Sequence, residues 1–69
     1  MIKYYVEVQD QDKKDSIYFY GLENEVIISS NGYRKDYTTK NFQEVTTLIN
    51  RLVKNLIGQG CTIINKEIR

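Results

Sequence analysis

Between Asn41 and Gly58 the chain carries one long stretch of helical period, and this segment constrains everything around it. Phe42, Val45, Leu48, Ile49, Leu52, Val53, Leu56 and Ile57 recur at three- and four-residue spacing. At about 100° per residue they cover roughly half the circumference, with Gln43, Thr47, Asn50, Arg51 and Lys54 opposite. So wide an apolar stripe suits a helix lying across a sheet. Asn41 is placed to cap it, and Glu44, three residues on, completes a capping box. Gly58 or Gly60 supplies the left-handed position that ends it.

The sheet is written in the flanking segments. Ile2 to Gln9 alternates, with Ile2, Tyr4, Val6 and Val8 on one side and Lys3, Tyr5, Glu7 and Gln9 on the other. A period of two in β-branched and aromatic residues predicts a half-buried strand. Asp10 to Asp15 reads as a polar turn, Ser16 to Leu22 as a second strand, and Val26 to Ser30 as a third. In the second strand Ile17 and Phe19 share one face, Tyr18 and Tyr20 the other. Asn31-Gly32 then predicts a two-residue hairpin, because a type I′ turn needs positive φ at both central positions. That turn sets Ser30 against Tyr33, Ile28 against Lys35 and Val26 against Tyr37. Tyr33 to Thr38 becomes a fourth strand, with Val26, Ile28, Tyr33 and Tyr37 inward and Ile27, Ser29, Arg34 and Asp36 outward. After the helix, Cys61 to Asn65 reads as a short last strand and Lys66 to Arg69 as a tail. The expectation is an α+β domain of residues 1–69, order β-β-β-β-α-β, with an antiparallel sheet of four to five strands and one helix on one face.

A chain of 69 residues buries only about 60% of the surface its unfolded form exposes, so the core must be efficient or an oligomer must help it. Cys61 is the single cysteine, which excludes an internal disulfide and fits a reducing compartment. No apolar run approaches the roughly 20 residues of a membrane span. The opening Met-Ile-Lys-Tyr-Tyr passes directly into the alternating pattern, with no signal-peptide core. A cytoplasmic protein is expected. His, Trp, Pro and Ala are absent, and Ile, Asn, Lys and Tyr supply 28 of the 69 residues. That bias is what an AT-rich gene produces, as in low-GC bacteria, their phages and their mobile elements.

These absences narrow the chemistry. Acid–base and nucleophilic catalysis usually rests on a His, a Cys beside a base, or paired carboxylates in a pocket. The chain has no His, and Cys61 follows a helix C-terminus, whose negative dipole end opposes a thiolate. Cys61 reads instead as a small buried residue opening a strand. Asp10, Asp12 and Asp15 lack the spacing, glycine and closing Glu of a calcium loop, and read as a solvated turn. Gly58 and Gly60 follow a helix rather than precede one, on the wrong side to cradle a phosphate. No enzyme, metal or cofactor is expected.

One helix covers one face of a sheet, so the other face is expected to expose Lys3, Tyr5, Glu7, Tyr18, Tyr20, Ile27 and Arg34. Tyrosines are ordinary strand residues that pack well across strands without any partner. Clustered with an Arg at the rim, they are also the residue types enriched in interface cores. Tyr5, Tyr18, Tyr20, Ile27 and Arg34 are therefore the candidate contact residues, for a protein partner or for a homodimer that would relieve the small core. A second candidate set is basic: Arg34, Lys35, Lys40, Arg51 and Lys54. Solvated helix faces routinely carry such charges, yet tyrosines with nearby bases also hold single-stranded nucleic acid, by stacking and backbone neutralisation. Residues 1–33 carry three Lys against six acids, net −3, and residues 34–69 seven bases against three acids, net +4. The overall charge of +1 is well below that of a dedicated nucleic-acid module.

Four strands followed by a helix is similar in order to the Pur-alpha and whirly-like single-strand binders. A strand-rich start with a late helix also resembles the WGR domain, although the Trp-Gly-Arg signature is missing. These are likenesses of topology, and a fold does not fix a function. The expected function is a small non-enzymatic protein-binding module, of the accessory or inhibitor kind that a phage or mobile element uses against a host protein. Single-stranded nucleic-acid binding is the alternative.

Overall fold

The computed structural model describes residues 1–12 and 14–69; Lys13, inside the expected turn at 10–15, lies outside them. The elements are β1 (Tyr4–Asp10), β2 (Ser16–Gly21), β3 (Glu25–Ser30), β4 (Tyr33–Thr38), α1 (Phe42–Gly58) and β5 (Cys61–Ile68). They form one antiparallel five-stranded sheet, order β4-β3-β2-β1-β5, with α1 on one face. The first four strands step sideways as a meander. A helix of 17 residues is about 25 Å long, enough to cross back over the meander and deliver β5 to the free edge of β1.

The local signals act as the sequence predicts. Asn31 and Gly32 both have positive φ, 20° and 82°, and the hairpin register pairs Ser30 with Tyr33, Ile28 with Lys35 and Val26 with Tyr37. At the helix start the Glu44 amide donates to Asn41 Oδ1 at 3.0 Å. The Glu44 carboxylate reaches one residue further back than a standard capping box, accepting from the Lys40 amide at 2.9 Å. At the far end Gly60, with φ of 103°, takes the left-handed position, and its amide donates to the Ile57 carbonyl at 3.1 Å.

The core lies between helix and sheet. Tyr4, Val6 and Val8 of β1, Phe19 of β2 and Val26 of β3 are buried under Val45, Ile49 and Val53 of α1, with Cys61 closing one end. Burying each large side chain contributes about 1.5–3 kcal/mol. Tyr4 carries a polar tip into the core, and its hydroxyl donates to Asn50 Oδ1 at 2.5 Å.

Four details depart from the sequence reading. β5 runs to Ile68 rather than stopping at Asn65, because β1 offers an open edge along its whole length and Tyr4 pairs with Ile68. The alternation of β1 begins at Tyr4, not Ile2. The Lys3 amide donates to the Gly21 carbonyl while Tyr4 also faces Gly21, so the period breaks there. Lys3 consequently leaves the tyrosine face: its Nζ lies 5.6 Å from the Phe42 ring centre and pairs with Glu23. Finally, Tyr33 and Ile57 are 55% and 46% exposed, since α1 packs on β1, β2, β3 and β5 and its footprint stops short of β4.

Candidate functional site

Among the described residues, no element covers the face of the sheet away from α1. Register places its residues in rows across the strands. One row runs Asp36, Ile27, Tyr20, Tyr5, Glu67, and the next Arg34, Ser29, Tyr18, Glu7, Asn65. Tyr5, Tyr18, Tyr20 and Ile27 thus sit at the centre, on β1, β2 and β3, and all four are half-buried. The rings shield one another. Tyr5 and Tyr20 meet across strands at 5.3 Å between centres, tilted by 40°. Tyr18 and Tyr20, two apart on β2, lie nearly parallel at 6.4 Å and 18°. The result is an aromatic platform of three half-buried rings on the open face.

Charges frame this platform. On the β4 side Arg34 Nε donates to Asp36 Oδ1 at 3.1 Å, and this hydrogen bond, followed by the charge of Asp36, raises the Arg34 pKa. On the β5 side Arg69 pairs with Glu67 at 3.3 Å. In the middle the Tyr5 hydroxyl donates to Glu7 Oε1 at 2.9 Å. Burial chiefly, then the hydrogen bond and negative charge of Glu7, push the Tyr5 phenol well above its ordinary range.

The structure disperses the basic candidate set. Arg34 is on the open face, whereas Lys35 is on the helix side of β4, its Nζ 5.4 Å from the Tyr37 ring centre. Lys40 lies in the connection before α1. Arg51 and Lys54 are exposed on the helix, turned away from its buried line of Val45, Ile49 and Val53. One strand of nucleic acid lying on the tyrosines would reach Arg34 and miss Lys35, Arg51 and Lys54.

Two features escape the sequence reading. Ile2, expected in the core, borders a shallow hollow with Tyr5, Tyr20, Asn65, Glu67 and Arg69, so it extends the apolar part of the open face. On the other side, Ile17, Phe19, Ile28, Leu52 and Leu56 line an apolar cleft of about 280 Å³ under Tyr33, where α1 ends its cover of the sheet. Both depend on where the strand period breaks and where the helix crosses, which no local pattern encodes. Cys61 is buried, and no group of three or more His, Cys, Asp or Glu converges to hold a metal among the described residues. No helix among them is long and apolar enough to cross a membrane. Compared with family models, with curated proteins and with solved structures, the chain matches none.

Proposed function

We propose that this chain is a non-enzymatic protein-binding module whose contact surface is the open face of its sheet. Tyr5, Tyr18, Tyr20 and Ile27 are the anchors, Ile2 extends them, and Arg34 stands at the rim. The observation that carries this reading is the platform of Tyr5 and Tyr18 packed on either side of Tyr20 on adjacent strands, with no helix or strand above it among the described residues. Contiguous aromatic surface ringed by charge is the usual composition of an interface core and its rim. Large rigid rings bury much area on binding at low entropic cost. The residue bias matches an AT-rich gene, as in low-GC bacteria and their phages, and on that origin we read the module as an accessory or inhibitor protein that acts by occupying a host protein.

Single-strand binding draws support from the same platform, because base stacking on an aromatic contributes about 1–3 kcal/mol per base. It needs phosphate-binding cations beside the rings, and the nearby Arg34 and Arg69 are each held by a carboxylate two residues away in the chain. Fluorescence anisotropy of a labelled strand of about 20 nucleotides separates the two. The protein-binding reading expects any association at low salt to vanish at physiological salt and to be unaffected by Tyr20→Ala. Micromolar binding that survives physiological salt and is lost in Tyr20→Ala would replace it with the nucleic-acid reading. In that case Arg51→Ala would reduce the salt slope by about one phosphate if Arg51 contributes.

A further inference from the structure

The charges of the open face differ in sign from those of the whole chain. Among the described strand residues Glu7, Glu25, Asp36 and Glu67 stand on it, with Arg34 and, just past β5, Arg69 to offset them, a net of −2 within a chain of net +1. Asp36 and Glu67 are already paired. Glu7 is different. It sits on the second strand from the edge, opposite Tyr18 on one side and Asn65 on the other. Its carboxylate accepts from the Tyr5 hydroxyl, and it forms no ion pair among the described residues. A half-buried carboxylate beside three phenol rings is a place where a cation gains twice, from the charge and from the ring faces.

Resting on the protein-binding reading of this face, we propose that its partner inserts an arginine, whose guanidinium lies over the Tyr18–Tyr20 rings and pairs with Glu7. Arginine fits better than lysine. Its plane matches the nearly parallel rings, and its fork donates to a carboxylate that has one oxygen engaged by Tyr5 and the other without a hydrogen bond among the described residues. A second copy of this chain fits poorly face to face, because the contact would set one net −2 surface against another. A polyanion meets the same repulsion. The partner is therefore a protein surface with a basic side chain among apolar ones.

The test is a random peptide library panned against the full chain, with selected peptides mapped by amide chemical shifts. Peptides that carry arginine, shift Glu7, Tyr18 and Tyr20, and lose about tenfold or more affinity to Glu7→Gln are the expected result. Glu7→Gln keeps the acceptor for the Tyr5 hydroxyl, so the fold is retained. Peptides that map to this face without enriched arginine, or bind Glu7→Gln equally well, overturn the arginine assignment and leave the contact face standing. Peptides that map only elsewhere, or a panning that yields none, overturn both.

Discussion

Gly21 shows how much one residue decides at this size. It lies opposite Tyr4 and Val26, under Val45 and Ile49 of α1. A Cβ there would stand 2.8 Å from Val45 Cγ1, 3.0 Å from Ile49 Cδ1 and 3.1 Å from Tyr4 Cβ. All three belong to packed core side chains, so Gly21→Ala is expected to destabilise by about 1–3 kcal/mol, read as a lower urea midpoint. An unchanged midpoint would show that helix and sheet are not packed so closely. Tyr5 makes a second prediction at this scale. Its phenol pKa is raised in the fold by burial and by Glu7, so the folded state holds that proton where the unfolded chain has begun to release it. Its contribution is full below the ordinary tyrosine range near pH 10 and declines as pH rises above it. Ultraviolet titration should lose a phenol that titrates above the ordinary range in Tyr5→Phe, and alkaline destabilisation should lessen. Identical curves would remove the Tyr5–Glu7 interaction from the account.

Among the elements, those fixed by neighbours in sequence were legible and those fixed by distant pairing were not. Asn31-Gly32 carries its own turn geometry, and Asn41 with Glu44 marks the helix start, because each signal acts within a few residues. Asn41→Ala should therefore cost about 1 kcal/mol, measurable by thermal unfolding; no loss would mean that the cap is replaced by solvent. The end of β5 depends instead on how far β1 extends as a template. Lys66 to Ile68, polar and charged in part, give no strand signal of their own. The exchange of Ile2 and Lys3 between faces follows from one backbone hydrogen bond to Gly21, which shifts the period at its last step. The candidate site was legible for the same reason as the hairpin: Tyr5, Tyr18, Tyr20 and Ile27 lie inside unbroken alternation, so parity alone set their face.

At the scale of the molecule, the charge asymmetry read along the chain becomes an asymmetry across its layers. The net −3 of the first half and +4 of the second are folded so that Lys35, Arg51, Lys54 and Lys66 lie on the helix side. Tyr5, Tyr18 and Tyr20 share the opposite side with carboxylates. The helix side is packed and holds the fold, and the aromatic, net acidic side is the one we propose meets a partner. The most direct test places a photocrosslinking benzoylphenylalanine at Tyr20 and, in a second variant, at Thr47 on the exposed helix surface, each in the source cells. A discrete crosslinked protein from the Tyr20 position and none from Thr47 is the predicted result. Crosslinking from Thr47 alone, or equally from both, would contradict the assignment of the open sheet face as the contact surface.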